Sequence, residues 1–132
     1  MRDIEFRGKR KDNGEWVFGY LTRYRDWELV WGIAESENHG YWNVICETIG
    51  QYIGLRDKNG VKIFEGDIVK IDNSYSLIEW CDFYNGFGAV HDIGGVTELW
   101  RYDSREIEVI GNAHDNPELM KAKEAGNGKG SI

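Results

Sequence analysis

No apolar run in this chain is long enough to span a membrane, and Met1-Arg2-Asp3 leads straight into Ile4-Glu5-Phe6 without a leader-like stretch. A soluble protein in the cytoplasm of the producing cell is the expectation. Cysteine is scarce: Cys46 and Cys81 make no close pair, and no Cys-x-x-Cys exists. Both sit in apolar-aromatic patterns, Val44-Ile45-Cys46 and Trp80-Cys81, so buried free thiols are expected. The three histidines, His39, His91 and His114, stand in separate contexts without metal-ligand spacing. A zinc site would have to be assembled in space from His91, Cys81 and His114. For His39 and His114, beside polar neighbours, solvent exposure is the simpler expectation. Proline is nearly missing, one residue against 17 glycines, so the turns fall to glycine. Positive charge is short as well: 16 Lys/Arg face 23 Asp/Glu, a net charge of −7.

That acidity weighs against nucleic acid, because affinity for phosphate backbones comes largely from Lys/Arg displacing counterions. The charge is uneven. Residues 1–25 carry seven Arg/Lys against four Asp/Glu, or +3, which leaves −10 for the remainder. The basic tract Arg7, Lys9, Arg10, Lys11 is too short to reverse the balance and reads as a solvated hairpin end.

Catalytic motifs are lacking too. Gly86-Phe87-Gly88-Ala89-Val90-His91 begins like a nucleotide-binding glycine pattern but has no third glycine and no strand-to-helix context. There is no Gly-x-x-x-x-Gly-Lys-Ser/Thr, and Ser74, Ser76 and Ser104 have no nucleophile-elbow setting. Glu65 and Asp67 flank Gly66. Asp67 accepting hydrogen bonds from turn amides, with Glu65 exposed, is a simpler role than acid–base chemistry. The expectation is a non-enzymatic protein with no cofactor and no metal.

What is present points to β-structure. The chain is 41% hydrophobic and 30% charged, which excludes a disordered chain. Aromatics reach 14%, including six tryptophans. A chain of 132 residues buries about two-thirds of its unfolded surface, enough for one domain without disulfides. Ile4 and Phe6 alternate in a first strand, and Asn13-Gly14 favours a tight turn. The return strand Trp16–Leu21 has Trp16, Phe18 and Tyr20 on one face, with Val17 and Leu21 around Gly19 on the other; cover on both sides is expected. Residues 27–33 (Trp27, Leu29, Trp31, Ile33, with Glu28 and Val30 opposite) and Tyr41–Thr48 (Trp42, Val44, Cys46 on one face) make a second hairpin across a polar loop. Further strands are expected at Tyr75–Phe83, Ala89–Ile93, Glu98–Tyr102 and Ile107–Asn112, with Asn85-Gly86-Phe87-Gly88 turning one pair. Asn116 as cap, Pro117 and Glu118 open a helix over about residues 117–125, stopped by Gly126.

The densest punctuation lies at residues 49–71, IGQYIGLRDKNGVKIFEGDIVKI. Tyr52-Ile53 is a short strand, Asp57-Lys58-Asn59-Gly60 a turn, and Gly66-Asp67 turns the chain into Ile68-Val69-Lys70-Ile71. A Gly-Asp pair before an alternating strand is common in small SH3-like barrels, by analogy only. RKDNGEWVFG at 10–19 echoes RDKNGVKIFEG at 56–66, and one hairpin chemistry used twice accounts for it. The run GQYIGLRDKNG…IFEGDIVKI, with the Ile110-Gly111-Asn112 and Asn116-Pro117-Glu118-Leu119 pieces, resembles the YopX family. That resemblance implies a phage or prophage origin and a mostly β fold, and it carries over no catalytic residues. It is specific over 50–71 and loose over 22–45 and 72–105.

The fold expected is therefore mostly β, a small antiparallel barrel or sandwich with SH3-like elements and one short C-terminal helix. It is a single domain over 1–132, divisible into hairpins at 1–48, a barrel-like part at 49–115, and helix and tail at 116–132. Ile53, Ile63, Ile68 or Val69, and Ile110 are expected in its core. The candidate structural or interaction residues are Gly50, Tyr52, Gly54, Asn59, Gly60, Gly66 and Asp67. Six tryptophans exceed what one inner layer holds, so an accessory protein working by protein–protein contact, including homo-oligomerisation, is the first functional expectation. A small nucleic-acid-binding barrel is the second. Arg/Lys of residues 7–25 clustered with exposed Trp or Tyr would favour nucleic acid; an apolar patch without a basic rim would favour protein.

Overall fold

The computed structural model describes residues 4–25, 29–36, 40–82, 85–92 and 94–120. Trp27, Glu28, His39, Phe83, Ile93 and the helix beyond residue 120 lie outside them. The described chain forms eleven strands: β1 (Phe6–Lys9), β2 (Trp16–Arg25), β3 (Leu29–Ala34), β4 (Trp42–Asn43), β5 (Gly50–Arg56), β6 (Lys62–Phe64), β7 (Asp67–Ile71), β8 (Ser74–Cys81), β9 (Gly86–His91), β10 (Val96–Glu98) and β11 (Glu108–Asn112). Residues 118–120 are helical. Among the described residues no helix is long and apolar enough to cross a membrane.

The strands form two antiparallel sheets, in the orders β4-β3-β2-β1-β5-β6 and β10-β9-β8-β7-β11. The mostly β expectation holds, and the barrel does not. Closure needs the two end strands of a sheet to pair with each other. Here the ends are short pieces such as β4, of two residues, and β10, of three. By its internal contacts the chain divides into two compact units, Met1–Gly54 and Leu55–Ile132.

In the first unit β1 and β2 pair from Phe6↔Gly19 to Lys9↔Trp16. The Asn13-Gly14 turn joins them: Gly14 takes φ +75, and Asn13 Oδ1 accepts the Glu15 N–H at 2.9 Å. Past Gly19, β2 changes partner and pairs with β3 from Tyr20↔Ala34 to Arg25↔Leu29. The core lies on one face, with Val17, Ile33 and Val44 buried and Phe6, Leu21, Trp31 and Ile49 packed against them. The opposite face, carrying Phe18 and Tyr20, is open: they are 43% and 56% exposed, against the expected cover on both sides. The strand expected at Tyr41–Thr48 also stops early, because Cys46–Thr48 curls into a 3-10 turn. Thr48 explains the turn. Its hydroxyl donates to the Ile45 carbonyl at 2.6 Å and accepts the Lys9 N–H at 2.8 Å. Val44 therefore enters the core while Trp42 and Cys46 are exposed. Cys81, in the second unit, is buried as expected, and both thiols are free.

In the second unit the buried apolar residues include Ile63, Ile68, Val69, Ile78, Ala89 and Ile107. Ile110 here, like Ile53 in the first unit, is only half-buried. For Ile110 the reason is a bulge: Val109 pairs with Val69 and Gly111 with Ile68, which leaves Ile110 as the extra residue. Residues 99–101 form a 3-10 turn instead of continuing the strand expected over Glu98–Tyr102. Asn85, at φ +52, is in the turn before β9, but Gly86-Phe87-Gly88 are already extended.

The Gly66-Asp67 turn joins β6 to β7. Gly66 has φ +93, its N–H donates to the Ile78 carbonyl at 2.8 Å and its carbonyl accepts the Ala113 N–H at 2.9 Å. A side chain there is strained in the left-handed region, and the two bonds prevent the peptide from rotating away. Gly66→Ala should cost about 1 kcal/mol or more. Thermal melts of the two proteins check this, and an unshifted midpoint would show that Gly66 has no backbone role.

Candidate functional site

The residues singled out in the 50–71 stretch build turns and pairing. Gly50 is buried opposite Arg7 across the β1–β5 pair. Tyr52 is buried, and its N–H donates to the Glu5 carbonyl at 2.8 Å. Gly54 and Gly60 take φ +92 and +82. The Asn59 N–H and Gly60 N–H both donate to Asp57, to Oδ1 at 2.8 Å and to the main-chain carbonyl at 3.0 Å. Asp67 is buried, with Oδ2 accepting the Phe64 N–H at 2.8 Å. The sequence reading passed over Asp57 itself. Its Oδ1 also accepts the Val61 N–H at 2.9 Å and its Oδ2 the Val109 N–H at 2.9 Å. Burial pushes this carboxyl up, but the three amide donors and the nearby Lys58 outweigh it, and the group sits below the usual carboxylate range.

Other polar groups have local duties. His91 bridges Ser76 Oγ, 2.9 Å from Nδ1, and Thr97 Oγ1, 2.7 Å from Nε2. The Ser–His pairing has the reach of a nucleophile and base, yet Ser76 is fully buried. His114 is exposed. Among the described residues no group of three or more His, Cys, Asp or Glu is placed to hold a metal ion. The Arg105 guanidinium, bonded to Asp103, holds that carboxyl down to about 2, in an exposed ion pair at 2.6 Å.

The first unit carries a different arrangement, in which cations lie over aromatic rings. Arg7 and Lys9 stand 4.6 and 5.5 Å from the Trp16 ring centroid. They share a face because Lys9 pairs with Trp16 and Arg7 with Phe18. Arg23 lies 4.8 Å over Trp31. Arg10 lies 3.6 Å over Trp42 and grips Asp12 with two bonds of 2.9 and 2.6 Å. Arg7 is buried and Lys9 and Arg10 half-buried, so most of the tract is not a solvated hairpin end; of the four only Lys11 is exposed.

At the β4 edge Tyr24 and Tyr41 stack with ring centroids 5.5 Å apart, and the Tyr24 hydroxyl bonds Asn43. Gly32 makes room for them: a Cβ there would lie 2.9 Å from Tyr24 Cε1 and 3.1 Å from Tyr41 Cβ. The rings open onto a recess of about 390 Å³ lined by Lys11, Asp12, Tyr24, Tyr41, Trp42 and Asn43. A YopX protein family model matches residues 5–121. The chain belongs to the YopX family. Thus the YopX match takes in the signature turns and the aromatic–cationic face alike. No curated protein matches the chain.

Proposed function

We propose that this YopX family member is a non-enzymatic accessory protein of a phage or prophage, and that it acts by holding a macromolecular partner on the open sheet face of its first unit. The observation behind this reading is the exposure of large rings within Met1–Gly54, with Phe18 at 43%, Tyr20 at 56% and Tyr41 at 52% beside Trp42. Leaving such rings in water is costly, and exposed aromatic surface of this kind marks interaction sites. The surrounding structure supports a prepared surface. The strand pairing fixes Phe18 and Tyr20, and Gly32 lets Tyr41 lie flat against Tyr24.

Hydroxyl-radical footprinting tests it. Tyr20 and Tyr41 should be modified readily in the dilute purified protein and protected in an extract of the producing cells. Equal modification in both settings would remove this face as the contact surface. A second copy of the chain is the other way to cover the rings. Light scattering across a tenfold dilution series separates that case, since self-association raises the mass with concentration and a foreign partner leaves the purified chain monomeric.

A further inference from the structure

We infer that the occupant of this face is single-stranded nucleic acid, an inference that rests on the reading above that the face is where partners bind. Trp16, Phe18 and Tyr20 occupy alternate positions of β2, hence one side of the sheet, with successive attachment points about 6.7 Å apart along the strand. Tyr24 and Tyr41 continue the aromatic surface at the β4 edge. A ladder of flat rings on a sheet suits unstacked bases, because every base offers a π-face whatever its identity. Stacked bases inside a duplex cannot lie on such rings, so single strands are favoured.

Charge separates nucleic acid from an apolar protein partner. The β1–β2 hairpin, residues 6–16, has four cations, Arg7, Lys9, Arg10 and Lys11, against two carboxylates, Asp12 and Glu15, a balance of +2 within a chain of net −7. Half-buried Lys9 borders the Trp16 end of the ladder, and exposed Lys11 lines the recess at the Tyr41 end. Cations at both ends of a row of rings match a polymer that alternates phosphate and base. The exposed tryptophans of the second unit lack this match. The Trp80 indole N–H bonds Asp82 at 2.8 Å, and Arg101 beside Trp100 is held by Glu98 at 2.6 Å.

Fluorescence anisotropy with the full chain and a labelled oligothymidylate of about 12 nucleotides, within the site sizes of single-strand binders, is the test. Binding is expected to the single strand and to be weaker for the matching duplex. It should weaken about tenfold between about 0.05 and 0.2 M salt, as a few phosphate contacts require. Tyr20→Ala and Tyr41→Ala should each weaken it about fivefold or more, while Trp100→Ala changes nothing. Both tyrosines are exposed, and matching melts confirm that the variants fold. No anisotropy change at the lower salt, or binding indifferent to both tyrosine variants, overturns the inference. Nuclease treatment of the extract separates its failure from failure of the face. Protection of Tyr20 and Tyr41 that disappears with nuclease is the expected result. Protection that survives nuclease means a protein partner, so the face stands and the nucleic acid falls.

Discussion

Gly19→Ala is expected to destabilise the protein by roughly 3 kcal/mol, near the upper end for forcing atoms into a packed site. A Cβ at Gly19 would lie 2.1 Å from the Ala34 carbonyl oxygen, 2.9 Å from its carbon and 3.1 Å from Glu35 Cα. All three are backbone atoms, so no side chain can rotate out of the way. Gly19 also has φ +153, which L side chains rarely adopt. The position is critical to the topology, since Gly19 is the last residue of β2 paired with β1 and Tyr20 the first paired with β3. Displacing Ala34 would break the β2–β3 pairing at its start. Gly14→Ala is the control. Gly14 has φ +75 but nothing within 4 Å of a Cβ, so only the conformational cost applies, about 1 kcal/mol. Urea denaturation midpoints compare the two. Equal losses would mean that the close approach at Gly19 relaxes at no cost and the steric account is wrong.

The contrast between these glycines shows what the sequence discloses. Asn13-Gly14, Asn59-Gly60 and Gly66-Asp67 were legible because a left-handed glycine in a short turn is a local property, and all three glycines have positive φ. The common turn chemistry at Gly14 and Gly60 also accounts for the echo between residues 10–19 and 56–66. Strand alternation was legible for the same reason. Gly19 was not, since the atoms that forbid a side chain come from Ala34 and Glu35, brought in by strand pairing. Alternation also does not say which layers exist: Trp16, Phe18 and Tyr20 read as a second buried face, and the fold leaves Phe18 and Tyr20 open.

The candidate site was readable in its parts and not in its assembly. The basic tract and the tryptophans were each visible, and so was the idea that clustering them would favour nucleic acid. Their contacts were not, because Arg10 meets Trp42 across 32 positions of sequence, through the Arg10↔Val44 bridge. The Lys9–Thr48 bond and the bulge that expels Ile110 are likewise set by partners distant in sequence. The barrel failed at the same level, since local turn chemistry does not determine which edge strands meet.

Asp57→Ala is expected to cost about 3 kcal/mol, because three part-buried amide donors lose a charged acceptor together. Asp57 is 5% exposed. It closes its own turn through Asn59 and Val61 and reaches Val109 on β11, 52 positions away. Asp57→Asn keeps the shape and a single acceptor oxygen, so its loss should be smaller at neutral pH, with an amide NH2 now facing an N–H. The charge makes the difference depend on pH. The folded carboxyl lies below its ordinary value, while the unfolded one is near 3.9. A depressed folded value means that ionised Asp57 contributes its full stability above the unfolded value and loses it as pH falls through the folded one. The wild-type advantage over Asp57→Asn should therefore be constant near neutrality and shrink below about pH 4. Asp12, Glu98 and Asp103 also titrate low, but they are common to both proteins and cancel in the difference. Urea midpoints for wild type and Asp57→Asn, at neutral pH and at successively lower values, measure it. A gap that stays the same in acid would show that the three N–H groups need only an oxygen there, and that the negative charge of Asp57 contributes nothing to the fold.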